Sequence, residues 1–233
     1  MGARLRAEVV LAFLARYLSQ HGLVKISDIS EGVGVDREFV EEILRNLRVN
    51  VEDGVIREPL EAFLIKAWRA GYDVVSLALN SGWSDLEALV SYALREAGYS
   101  TYRTVRFKFR GRRFEVDVLA FKKGLSLCVD CKRWKRLREG MLRRAADAQH
   151  ERCSVLSKAL EAGILAYDIQ PGEYRMIPVV VSLYEPEVPV YSNSVITSLR
   201  GLADLASEDT IYALMTAGVQ PISFTVQRRI RLL

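Results

Sequence analysis

The sequence predicts an α/β protein, with a helical N-terminal domain followed by a mixed central sheet flanked by helices. Three observations carry that expectation. Apolar residues recur at helical spacing through most of the first eighty residues. From about residue 83 the pattern becomes helix, three runs rich in aromatic and β-branched residues, a long helix, and another β-branched run. Turn-forming tripeptides, Arg110-Gly111-Arg112 and Lys122-Lys123-Gly124, separate those three runs. A chain of 233 residues, 50% of them hydrophobic, has material for two cores.

Residues 4–18 carry Val9, Val10, Phe13, Leu14, Tyr17 and Leu18 at helical spacing, and His21-Gly22 ends that helix. A short helix over 27–32 follows. Gly34-Val35 turns the chain, and Asp36 opens a helix to residue 48 with Phe39, Val40, Ile43, Leu44 and Leu47 inward. Residues 49–57 read as a small hairpin around Glu52-Asp53-Gly54. Helix, short helix, turn, helix, hairpin is the order of a winged helix-turn-helix, so residues 1–58 are expected to form a winged-helix-like domain. The Glu-rich third helix (Glu38, Glu41, Glu42) leaves DNA reading and dimerisation or packing both open. Pro59 starts a further helix to residue 70, and residues 59–82 read as a helical linker.

The remaining residues, 83–233, form the α/β domain. A helix over 84–97 presents Leu86, Leu89, Val90, Ala93 and Leu94, and Gly98 ends it. Strands are expected over 99–109, 113–121 and Leu125–Lys132, a long helix over 137–162, and a buried strand over 175–184 around Ile177-Pro178-Val179-Val180-Val181. A short strand over 186–191 and a helix over 193–206 complete the expectation.

Charge is uneven. The net charge is +4, but the stretch from Arg103 to Arg144 holds fifteen Lys or Arg against four Asp or Glu. A locally basic surface points to an anionic partner, most often nucleic acid. Cys128, Cys131 and Cys153 form no disulfide framework and fit a reducing cytoplasm. Nothing in the sequence reads as a signal peptide or a membrane span.

The chemistry gathers in the second and third strands. In alternating strands Phe114, Val116, Val118 and Ala120 share one face, with Glu115 and Asp117 on the other; Asp130 and Lys132 also share a face. A two-residue loop at Lys123-Gly124 sets Phe121 opposite Ser126, Leu119 opposite Cys128, Asp117 opposite Asp130 and Glu115 opposite Lys132. Opposed residues have Cβ atoms about 4.5–5.5 Å apart. Two carboxylates at that range repel unless a divalent cation such as Mg²⁺ lies between them. Lys132 then stands where it can stabilise charge developing at phosphorus.

Asp117, a twelve-residue gap, then Asp130-Cys131-Lys132 resembles the D…(D/E)xK signature of the restriction-endonuclease-like, or PD-(D/E)xK, nuclease superfamily. The order helix, three-stranded meander, helix, strand also resembles that core. The succession Trp83-Ser84-Asp85-Leu86-Glu87, Gly98-Tyr99, Arg113 to Asp117, Asp130 to Trp134 is similar to the archaeal branch related to Mrr-type enzymes and Holliday-junction resolvases. Val116 stands where the naming proline would. The resemblance implies a Mg²⁺- or Mn²⁺-dependent DNA nuclease in which water activated by the metal attacks phosphorus, leaving a 3′-hydroxyl and a 5′-phosphate. It implies Glu87, Asp117 and Asp130 as metal ligands, Lys132 as a catalytic cation, and Gln149 on the long helix near substrate or metal-bound water. Glu87 also fits a helix cap with Ser84, and Gln149 also fits an interior amide satisfied by backbone. Arg103, Arg106, Lys108, Arg110, Arg112 and Arg113 on the first hairpin, with Arg133, Lys135 and Arg136 after the third strand, are the expected phosphate contacts. Trp134 either stacks on the nucleic acid or packs against the sheet. A non-catalytic DNA-binding regulator and an RNA-processing nuclease remain alternatives, and a homodimer would serve two-strand cutting.

Overall fold

The computed structural model describes residues 2–80, 86–134, 137–165 and 167–227. The chain divides into two compact units, Met1–Asp85 and Leu86–Leu233. Together they are mixed α/β, and among the described residues no helix is long and apolar enough to cross a membrane.

The first unit runs α1 (Ala3–His21), β1 (Val24–Lys25), α2 (Ile26–Val33), α3 (Arg37–Asn46), β2 (Val51–Glu52), β3 (Val55–Ile56), α4 (Leu60–Arg69) and α5 (Val74–Asn80). Gly22 ends α1 in the left-handed region at φ 71°, returning its amide to the Leu18 carbonyl. The buried stripe of α1 is Ala7, Val10, Leu11, Leu14, Ala15 and Leu18. It is rotated from the expected face: Val9 is exposed, and Phe13 stacks on Tyr17 with ring centroids 4.5 Å apart. Asp53 and Gly54 both take positive φ, the geometry a two-residue hairpin loop requires. β3 lies between β1 and β2, all antiparallel. The region expected as a linker instead belongs to this unit's core. α4 and α5 pack on α1, burying Leu60, Phe63, Leu64, Ile65, Val74 and Leu77. Apolar residues cover so much of α4 that it needs partners on several sides.

The second unit runs α6 (Leu86–Glu96), β4 (Ser100–Phe109), β5 (Arg112–Lys122), β6 (Leu125–Lys132), α7 (Glu139–Glu161), β7 (Gly172–Ser182), β8 (Val190–Tyr191), β9 (Ser194–Ser198), α8 (Gly201–Leu205), α9 (Glu208–Thr216) and β10 (Ile222–Val226). Its sheet has the order β4-β5-β6-β7-β9-β8, with β10 also on β7. β4, β5 and β6 form an antiparallel meander, whereas β6–β7 and β7–β9 are parallel. α7 is the crossover between the parallel strands β6 and β7, the connection a parallel pair needs. Pro178 falls between Met176, which faces the first residue of β10, and Val179, where the pairing with β9 begins. Neither strand pairs with it, which suits a residue without an N–H.

The helix expected over 193–206 is replaced by β9 and then α8. Ser192 and Asn193 both have positive φ and turn β8 into β9. β9 is buried along its whole length, so it carries no polar alternation by which a sequence would announce a strand.

Tyr99, just before β4, is buried, and its hydroxyl has no hydrogen-bond partner among the described residues. Burial, and then the charge of Glu208, pushes its pKa up to about 12. Tyr99→Phe should therefore leave the melting temperature unchanged or raise it, by up to about 1 kcal/mol in stability. A clear drop in a thermal melt would show that the hydroxyl does bond.

Candidate functional site

The β5–β6 hairpin is organised by its loop. Lys123 and Gly124 have φ 44° and 75°, a two-residue turn with both residues left-handed. The resulting register sets Phe121 opposite Ser126 and Leu119 opposite Cys128, as the loop predicts. Pairing then ends at Val118–Val129, while β6 continues alongside β7 through Asp130–Val180 and Lys132–Ser182. The two strands thus part at a fork, and Asp117, Asp130, Cys131 and Lys132 lie just beyond it.

The expected opposition of Asp117 and Asp130 is therefore not made. Instead the Cys131 N–H donates to Asp117 Oδ2 at 2.7 Å. The cause is a slip in side-chain alternation. Phe114 and Val116 pack in the same cluster as Leu119 and Phe121, although strict alternation puts them on opposite faces. On β4, Tyr102 likewise shares that cluster with Val105 and Phe107. Both strands slip together, because Arg103–Val118 and Val105–Val116 keep one register on either side. Between them lie Asp117 and Thr104, and Thr104 has φ 50°. A β-branched residue with positive φ is strained, and such strain gathers at functional sites.

Asp130 is almost buried, with 7% of its side chain exposed. Lys132 Nζ meets both its oxygens, Oδ1 at 3.0 Å and Oδ2 at 2.8 Å. Arg152 Nη1, from α7, donates to the same Oδ1 at 3.1 Å. Arg152 also donates to Gln149 Oε1. Gln149 has no exposed surface, and its Nε2 donates to the Cys128 carbonyl at 2.7 Å. Gln149 thus reaches the site through Arg152 and is satisfied as an interior amide. No motif in the sequence singles out Arg152. Its signal was its position three residues after Gln149, which sets the two side chains together on a helix.

Glu87 lies in the first turn of α6, and Thr104 Oγ1 donates to its Oε2 at 3.4 Å. Ser84, the other half of the expected capping box, is outside the described residues. Around Cys131 the carboxylates converge: burial, then the charges of Asp117, Asp130 and Glu87, push its thiol well above the usual range. Asp117 is also held above the usual carboxylate range, first by burial and also by Asp130, against the Cys131 hydrogen bond that lowers it. The slip brings Asp117 toward Asp130's charge without pairing the two residues.

Among the described residues no three His, Cys, Asp or Glu side chains are grouped to enclose a metal. Mg²⁺ asks for less, often one or two carboxylates with several waters retained. Asp117 fits that demand. It is half-buried and charge-stressed, and its second oxygen accepts no hydrogen bond among the described residues. Asp130 is already held by two cations and would share its charge with them.

Arg103, Arg106, Lys108, Arg110, Arg112 and Arg113 are all exposed on the β4–β5 hairpin, and Arg133 is exposed after β6. Arg106 pairs with Glu115 at 2.7 Å, so Glu115 does not face Lys132 as expected. That hydrogen bond is the main reason the Arg106 guanidinium is held above its usual range; the charge of Glu87 adds to it. Arg112 lies 3.7 Å from Glu151. Trp134 is half-buried and packs with Leu137 against Leu142, Val180, Tyr191 and Ile196, so it lies against the sheet. Lys135 and Arg136 are outside the described residues.

No family model matches the chain. It is 30% identical over 132 residues to an uncharacterized protein of Archaeoglobus fulgidus, an alignment covering 56% of this chain and 93% of that protein. The chain belongs to the same family as that protein. Among solved structures it is similar to protein VC1899 from Vibrio cholerae, with a TM-score of 0.32 and 17% identity, over 94% of this chain. It spans 54% of the VC1899 chain, about half its length. It is also similar to the protein of unknown function AF1548, with a TM-score of 0.32 and 15% identity, over 59% of this chain and 79% of the other.

Proposed function

We propose that the chain is a divalent-metal-dependent DNA nuclease, its second unit a restriction-endonuclease-like core and its first a winged helix. The observation that carries this reading is the fork between β5 and β6. There Asp117, Asp130 and Lys132 come together near Glu87, where β4 and β5 slip in step. The order α6, β4–β5–β6, α7, β7 supports the core assignment. The order α1, β1, α2, α3, β2, β3 with its small antiparallel sheet supports the winged helix.

In this reading Asp117 and Asp130, with Glu87 beside them, hold Mg²⁺ or Mn²⁺. Such an ion polarises a phosphoryl oxygen and makes water a nucleophile near neutral pH. Lys132 sits at the rim with a third of its side chain exposed, and it donates to the scissile phosphate as charge develops there. The exposed cations of the β4–β5 hairpin hold the backbone without reading sequence.

The test is incubation of the full chain with supercoiled plasmid, four-way branched DNA and single-stranded RNA, each with Mg²⁺, Mn²⁺ or chelator. We expect metal-dependent DNA cleavage that leaves 5′-phosphate ends and stops in chelator. Cleavage of RNA alone would replace this reading with an RNA-processing one. Tight DNA binding with no cleavage in either metal would replace it with a non-catalytic regulator.

A further inference from the structure

Arg152 is not explained by the metal-and-lysine reading of the fork. Its guanidinium reaches into a site where Asp130 already has Lys132, and it shares the same Oδ1 atom. It is not a chance surface pair. Only 24% of its side chain is exposed, and it occupies the acceptor of a fully buried amide, Gln149. That amide is in turn fixed to the backbone of β6 at Cys128. The chain Cys128 carbonyl, Gln149, Arg152, Asp130 therefore runs from the core to the fork, and every hydrogen bond points its donor toward the next acceptor or back to the strand.

The charges explain why such a group is there. Asp117, Asp130 and Glu87 bring three negative charges around Cys131. Lys132 returns one positive charge to Asp130, and Glu87 acts on the Arg106 guanidinium. Like charges gathered in a half-buried fork repel, and a partner removed from a buried pair leaves the other charge uncompensated. Resting on the metal-dependent reading above, we propose that Arg152 is a built-in counter-ion and positioning residue for Asp130, held by Gln149. It keeps the carboxylates together when no divalent ion is bound, and it weakens divalent-ion binding by adding positive charge beside the same oxygen. This role belongs to a residue outside the D…(D/E)xK pattern.

The two halves of the proposal move in opposite directions, and a merely structural arginine would produce only the first. Arg152→Gln keeps a hydrogen-bonding side chain of shorter reach and removes the charge; Arg152→Lys keeps the charge. Melting temperatures are measured in chelator and across a Mn²⁺ titration, with Mn²⁺ half-saturation read separately by electron paramagnetic resonance of the free ion. In chelator, Arg152→Gln should melt several degrees below wild type, with Arg152→Lys between them. In Mn²⁺ the deficit should shrink, and half-saturation of Arg152→Gln should fall to roughly one-tenth of the wild-type concentration. Half-saturation unchanged or raised in Arg152→Gln, with wild type binding Mn²⁺ normally, overturns the counter-ion role and leaves the nuclease reading standing. Absence of Mn²⁺ binding in wild type overturns both. Gln149→Met, which removes the amide holding Arg152, should reproduce the direction of Arg152→Gln in half-saturation; wild-type half-saturation in a folded Gln149→Met would overturn the claim that Gln149 holds Arg152 in place.

Discussion

Lys132→Ala is expected to lower single-turnover DNA cleavage by about 10²–10³-fold, the range lost when one preorganised donor to developing charge is removed. DNA affinity should change little, because the exposed hairpin arginines carry the backbone contacts. The fold should also survive. Asp130 keeps Arg152 at 3.1 Å when Lys132 is lost, so its carboxylate is not stranded, and the cost in stability should be about 1 kcal/mol. Asp130→Ala should abolish cleavage as well, but by a less clean route. It strands the partly buried Arg152 and Lys132 together, at a cost nearer 2–3 kcal/mol. The informative comparison is therefore Lys132→Ala against wild type at saturating DNA, with melting temperatures measured alongside. Full cleavage by a folded Lys132→Ala protein would remove the fork from the catalytic account.

How much of this was legible in the sequence follows from what kind of signal each feature leaves. Lys123-Gly124 is a local signal, and it fixed the β5–β6 register at Leu119–Cys128 and Phe121–Ser126. The meander, α7 and β7 were legible because their apolar periods are long. The slip at Asp117 was not, because it depends on Thr104 taking φ 50°, which no propensity of a β-branched residue announces. Strict alternation therefore put Asp117 opposite Asp130, whereas the folded chain bonds it to the Cys131 amide. Arg152 was not legible because its meaning depends on α7 lying beside β6, a tertiary fact. β9 was missed for the opposite reason: a strand buried on both faces loses the polar–apolar rhythm that separates strand from helix. The buried faces of α4 and α5 were visible as apolar residues, but not the unit to which they would attach.

Asp117→Asn is the change in which stability and activity should separate most widely. Burial and the nearby Asp130 charge raise the Asp117 pKa, so the folded state binds its proton more tightly than the unfolded state does. Between the ordinary carboxylate range and that raised value, the folded protein carries more protons than the unfolded chain. Stability therefore falls as pH rises through that window, and the full penalty persists above it. At neutral pH without metal, Asp117 costs stability, and an asparagine carries no such charge. Its side-chain oxygen can still accept the Cys131 N–H, so the bond that shapes the fork is preserved. The expected gain is a small rise in melting temperature, because Asp117 is only half-buried and solvent screens part of its charge. Cleavage should meanwhile fall by about 10³-fold or more, since a neutral amide is a poor ligand for a hard cation that favours carboxylate oxygen. Added Mn²⁺ should raise the wild-type melting temperature and leave Asp117→Asn nearly unmoved, closing the gap between them. If Asp117→Asn instead melts lower than wild type in chelator at neutral pH, the carboxylate is a stabilising partner rather than a stressed one. The electrostatic case for a cation at this fork would then be lost, whatever the cleavage assay reports.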